Sequence, residues 1–165
     1  MKAILNSNSG DTKLELLFKC QASYAHESGY ESTVRIKGRH WDGDHVFPLS
    51  VKMEGIWLRS DDLIKMEHHI SSWLKQPIDK IEVDDLSKEF ELARLPEQSV
   101  LISFGSRADT VSSMNPVVTI SFSAGPLKGN HHYITDQTCL EMFAKGLRKQ
   151  QSNQALQPTR TSRAD

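Results

Sequence analysis

The sequence predicts an α+β fold, with antiparallel sheet(s) of about six strands and two amphipathic helices in the order βββα-βββα. Three observations carry this prediction. Short runs alternate apolar with polar residues. Two stretches instead place apolar residues three and four apart. Turn-forming residues separate the runs.

In chain order, Leu14, Leu16, Phe18 and Cys20 alternate with Glu15, Leu17, Lys19 and Gln21, the period of a half-buried strand. Ser23 to Gly29 is polar and reads as a connection. Val34 and Ile36 mark a second strand, and Asp42-Gly43 a tight hairpin turn. Phe47, Leu49, Val51 and Met53 form the return strand. Pro48 has no backbone donor and places that strand at an edge or a bulge. Ser60-Asp61-Asp62 starts a helix, with Ser60 as cap and two acids at the positive end of the dipole. Leu63, Met66, Ile70, Trp73 and Leu74 share its inner face, and Pro77 ends it. Three further strands carry Phe90 and Leu92, then Val100, Ile102 and Phe104, then Val118, Ile120 and Phe122. Leu95-Pro96-Glu97 reads as a turn, and Arg107–Pro116 and Gly125–Thr135 as loops. A second helix opens at Thr135 or Asp136, with Leu140, Phe143, Ala144 and Leu147 as its stripe.

At 165 residues the chain fits one domain, long enough to bury a core without staples. Residues 1–149 form that domain. Residues 150–165, QQSNQALQPTRTSRAD, contain too little apolar surface to offset ordering entropy and read as a disordered tail. The formal charge of -1 gives no global attraction to nucleic acid or anionic membrane, so neither partner is expected. Two cysteines, Cys20 and Cys139, read as buried free thiols. With no signal peptide and no apolar run of ~18 residues, the expected compartment is the cytoplasm.

Several residue groups bear on chemistry. A two-residue turn at Asp42-Gly43 would set His40 directly opposite His45, two ligands for an ion such as zinc. Spacing supplies no third ligand, so a polar hairpin tip is expected, and no metal or cofactor is predicted. His68-His69 lies mid-helix, outside any HExxH pattern, and reads as solvated surface. Lys128, Asn130, His131 and His132 could offer donors to an anion ahead of the second helix, although the P-loop order is absent. No GxSxG elbow exists, and Ser106 and Ser113 lie in a polar loop. Cys139 begins a helix but adjoins the apolar stripe, so a packed thiol is expected. Asp61-Asp62 and Asp84-Asp85 suit caps and turns better than acid/base work. No catalytic residue is therefore assigned.

From Asp79 to Glu91 the chain carries Asp79, Glu82, Asp84, Asp85, Glu89 and Glu91 against Lys80 and Lys88. This local negative field suits a basic protein partner, or an ordinary solvated edge.

Two resemblances add to this reading. The strand opening Gly10-Asp11-Thr12-Lys13-Leu14-Glu15-Leu16, the helix from Asp61-Asp62-Leu63 to Trp73-Leu74 and the helix entry Asp136-Gln137-Thr138-Cys139-Leu140 resemble WapI-type bacterial immunity proteins. That entry is similar to the family's DQTxL pattern, and the resemblance covers residues 10–149. The connection Arg107–Pro116 and the Pro48 strand depart from the family's layout. The resemblance implies a cytoplasmic protein that acts by binding a toxin, without catalytic residues. The stretch Ser152-Asn153-Gln154-Ala155-Leu156-Gln157-Pro158-Thr159-Arg160 resembles tails encoded where a reading frame runs into the recombination site of a mobile integron gene cassette. It implies a strain-variable cassette protein.

The leading expectation is a non-catalytic cytoplasmic binding protein, immunity-like and encoded on a mobile gene cassette. One alternative is a small-ligand-binding protein or enzyme using a cleft between sheet and helices. Another is a structural protein that self-associates, for instance as a homodimer.

Overall fold

A computed structural model describes residues 1–24, 26–42, 44–77, 82–95, 97–105 and 115–154. Among these residues the chain forms eight strands and two α-helices. Strands β1 (Lys2–Asn6), β2 (Lys13–Tyr24), β3 (Glu27–Asp42) and β4 (His45–Arg59) form one antiparallel meander, followed by helix α1 (Ser60–Leu74). Strands β5 (Lys88–Leu95), β6 (Gln98–Gly105), β7 (Val117–Ala124) and β8 (Leu127–Ile134) form a second, followed by helix α2 (Gln137–Gln154). The α+β class stands, but the order is ββββα-ββββα and each half has one strand more than the pattern predicts.

The two extra strands lack an aliphatic alternation. β1 is five residues long, with Ala3 and Leu5 turned inward. β8 fills its inward positions with Gly129, His131 and Tyr133, so the predicted Gly125–Thr135 loop is largely strand. Phe122 lies where a Gly129 side chain would be, which compensates for the missing apolar residue.

Bulges explain other departures. Pairing steps from Phe18↔Ser32 to Cys20↔Glu31, so Lys19 is the extra residue and the strand changes phase. Cys20 is consequently exposed, against the expectation of a buried thiol. A second bulge between Glu91 and Ala93 lets Leu92 and Ala93 both be buried. The Ser23–Gly29 connection is mostly strand, because β2 and β3 continue their pairing to Tyr24↔Glu27.

Apolar residues from both sheets and both helices join one core. Leu14, Leu16, Val34 and Ile36 come from the first sheet, and Val100, Ile102, Val118 and Ile120 from the second. Leu63, Met66, Ile70 and Trp73 of α1 and Leu140, Phe143 and Leu147 of α2 complete it. Each fully buried large apolar side chain contributes about 1.5–3 kcal/mol. The helices lie side by side, α1 also against β3, β4 and β5, and α2 across β1. A Cβ on Gly146 would sit 3.0 Å from the Ala3 Cα, so glycine permits that crossing.

The helix ends differ. Arg59, not Ser60, is the cap of α1, and it makes no side-chain cap bond. Ser60 is already helical and its hydroxyl lies 3.3 Å from that of Ser28. In α2 the Asp136 carboxylate accepts from the Cys139 N–H at 2.7 Å, a true N-cap. This helix runs to Gln154, so residues 150–154, placed by composition in the tail, continue it; residues 155–165 lie outside the described residues. Among the described residues no helix is long and apolar enough to cross a membrane.

The two sheets meet at two seams. At one, Gln98 Nε2 donates to the Gly55 carbonyl at 3.4 Å. At the other, the Tyr133 hydroxyl donates to the Leu5 carbonyl (3.0 Å), Thr135 Oγ1 to the Asn6 carbonyl (2.8 Å) and the Asn8 N–H to the Ile134 carbonyl (3.0 Å).

Candidate functional site

The described part of the acidic segment includes a 3-10 turn, Val83–Leu86, held against α1. Trp73 Nε1 donates to the Glu82 carbonyl at 2.8 Å. His69 Nε2 lies 3.2 Å from the Leu86 carbonyl, and Leu86 itself is fully buried. His69 also packs 5.5 Å from the Phe90 ring, so this residue is not the solvated surface group expected of the His68-His69 pair; only His68 is exposed. The anchored turn leaves Glu82, Asp84 and Asp85 exposed.

β5 follows as the edge strand of its sheet. Glu89 and Glu91 share its outer face, Glu89 exposed and Glu91 half-buried. Lys88 points the other way, with Nζ 5.6 Å from the Phe90 ring centroid. The result is an acidic rim on a rigid support: Glu82, Asp84, Asp85, Glu89 and Glu91 along one sheet edge. Asp79 and Lys80 of the predicted segment lie outside the described residues, as do Ser106 and Ser113.

The histidine hairpin differs from its expected register. Asp42 pairs with His45 and His40 with Phe47, in place of the register that would set His40 against His45; Gly43 lies outside the described residues. His40 and His45 are therefore not opposite one another. The hairpin projects: Gly38 to Asp42 pair with β4 but have no partner on β2, and Val46 and Phe47 are exposed. β4 is the edge of its sheet, where the proline at position 48 interrupts no ladder. Among the described residues no group of three or more histidine, cysteine, aspartate or glutamate side chains is placed to hold a metal.

Lys128, Asn130, His131 and His132 are not a loop cluster but positions of β8, which separates them by face. Lys128, Asn130 and His132 are exposed, whereas His131 is buried opposite Ile120. His132 lines a cavity.

That cavity, of about 490 Å3, opens at the seam between the sheets. One wall is the β1–β2 turn, Ser7 to Thr12. Ser7 Oγ and Ser9 Oγ both donate to Asp11 Oδ1, at 3.0 and 2.6 Å, and the Thr12 N–H donates to Ser7 Oγ at 3.1 Å. Gly10, at φ +76°, makes the turn possible. Arg39 of β3, His132 of β8 and Val117, Tyr133 and Ile134 complete the lining. The Ser9 hydroxyl, helped by Ser7, the turn's own backbone and most weakly Arg39, holds the Asp11 carboxyl below its usual pKa, against burial, which is the second-largest influence and acts the other way. Arg39 attracts Asp11 but no ion pair joins them among the described residues. Sequence reading missed this site because its parts lie on four elements; the signal present was the run Asn6-Ser7-Asn8-Ser9-Gly10-Asp11, rich in short side-chain donors.

Cys139 behaves as a packed thiol. Burial, followed by the Asp136 carboxylate, pushes its pKa up, and its Sγ donates weakly to the Ser7 carbonyl at 3.8 Å. Helix-dipole activation is thereby outweighed at this position. No family model, no curated protein and no solved structure matches this chain.

Proposed function

We propose that the protein is a non-catalytic binding protein that docks a basic protein partner on the acidic rim. The single observation behind this reading is the exposure of Glu82, Asp84, Asp85 and Glu89 on a turn and edge strand that the core holds fixed. A preorganised array of like charges speeds encounter with an oppositely charged surface and weakens with salt. The acids also discourage strand addition at the β5 edge, so the rim favours side-chain docking over edge pairing.

The immunity-like reading makes that partner a toxin, and rests on the resemblance of the 10–149 region and its Asp136-Gln137-Thr138-Cys139-Leu140 helix entry. The flanking DNA tests it. A toxin gene beside the reading frame supports it, whereas a recombination site over the last codons with unrelated cassettes on either side supports a mobile cassette without a dedicated toxin.

The rim is tested by recovering the partner with the wild-type protein and measuring association by stopped flow at two ionic strengths. Asp84→Lys with Asp85→Lys should slow association by about tenfold and flatten its salt dependence. An unchanged rate and salt slope would remove the rim from consideration.

A second reading, self-association, is favoured by the projecting hairpin. Val46 is 43% and Phe47 51% exposed on a strand with an open edge. A mass in solution that rises with concentration, and falls to the monomer value in Phe47→Ser, would support it.

A further inference from the structure

We propose that the seam cavity binds a small zwitterion of the α-amino acid class, with its ammonium group on Asp11 and its carboxylate on Arg39. The inference is independent of the acidic rim.

The cavity holds one carboxylate and one guanidinium that sense each other without pairing. Asp11 is tied to the β1–β2 turn by hydrogen bonds from Ser7 and Ser9, and Arg39 comes from β3 beside that turn, where Gly38 packs against Thr12. A ligand carrying both charges can engage both groups at once. A simple anion meets Asp11 and a simple cation meets Arg39, so either is repelled by half of the site.

The remaining chemistry suits the same ligand. Both serine hydroxyls donate to Asp11 Oδ1, leaving Oδ2 to accept from an ammonium. Arg39 presents a planar fork suited to a carboxylate. Val117 and Ile134 supply an apolar wall for a side chain. The volume lies within the roughly 300–1,000 Å3 typical of small-molecule sites. The wall is preorganised by the three seam hydrogen bonds from Asn8, Tyr133 and Thr135. Asp11 and Arg39 are both exposed, so affinity belongs between roughly 10 μM and 1 mM.

The test is a titration of the 15N-labelled protein, followed by amide chemical shifts, with glycine, leucine and phenylalanine. Two leucine analogues are added, 4-methylpentanoate, which lacks the ammonium, and 3-methylbutylamine, which lacks the carboxylate. Saturable shifts centred on Asn8, Gly10, Asp11 and His132 are expected with leucine, and binding weaker by about tenfold or more with each analogue. Asp11→Asn keeps the turn's acceptor oxygen and removes only the charge; Arg39→Gln removes the fork from an exposed side chain. Each should weaken leucine by a similar factor while the rest of the spectrum confirms the fold. No saturable shift at these amides with any of the three amino acids would overturn the proposal. Equal binding of 4-methylpentanoate, unaffected by Asp11→Asn, would overturn it in favour of a plain anion site.

Discussion

Glu67 of α1 and Arg148 of α2 meet through a single oxygen. Glu67 Oε1 accepts from Arg148 Nε at 3.1 Å and Nη2 at 2.6 Å, and from Ser71 Oγ at 2.7 Å. The glutamate is buried and the arginine half in solvent, so the two ends of the pair are unequal. Arg148→Ala leaves a buried carboxylate with Ser71 as its remaining donor and should cost about 1–2 kcal/mol in urea unfolding. Glu67→Gln keeps an acceptor and should cost less. A double-mutant cycle should return a coupling of about 0.5–1.5 kcal/mol, because Arg148 is largely solvent-screened.

Tyr133 makes stability sensitive to alkali. Burial holds its phenol far above the ordinary value of 10.0. The unfolded chain releases this proton near pH 10 and the folded chain keeps it. Its contribution is therefore complete below about pH 10 and falls by about 1.4 kcal/mol per pH unit above it. Burial raises the Tyr30 phenol and the Cys139 thiol too, which act in the same direction. Tyr133→Phe should cost about 1 kcal/mol at neutral pH through loss of the Leu5 bond, yet show a shallower fall in stability between pH 10 and pH 11. Urea midpoints across that range would check it.

Asp136 combines two roles that substitution separates. Asp136→Asn preserves the cap acceptor and removes the charge beside Cys139, so the thiol pKa should drop with little change in stability. In a Cys20→Ser background, alkylation of Cys139 at pH 8 should then be faster than in the parent. Asp136→Ala loses the cap as well and should cost about 1 kcal/mol.

Gly146 sets the distance between α2 and β1. Gly146→Ala gains about 1 kcal/mol of helix propensity but presses a methyl against Ala3, so its net effect should be near zero. Gly146→Val adds branches that the crossing cannot admit and should cost about 1–3 kcal/mol. Thermal unfolding of both variants would separate propensity from packing.

The sequence made legible what aliphatic periodicity encodes. The strands around Val34, Ile102 and Ile120 and both helix stripes lie where their spacing puts them. β8 was hidden because its inward residues are glycine, histidine and tyrosine, and β1 because five residues give the alternation too few repeats. Cys20 was misplaced by a bulge, a one-residue insertion that no local pattern announces. The acidic residues were visible as a run, but the turn pinned by Trp73 and His69 that displays them was not. The seam cavity was beyond reach of local reading, since Asp11 and His132 come together only where the two sheets meet.

The first strand of the chain is roofed by its last helix, and the seam bonds join residues 128 and 129 positions apart. During synthesis the first meander can pair its strands early, yet Ala3 and Leu5 stay uncovered until α2 has emerged. Long loop closures of this kind slow folding and tie both halves into one cooperative unit. The N-terminal half, released alone, would present an open apolar strand to its neighbours, and its solubility depends on the ribosome finishing the other half.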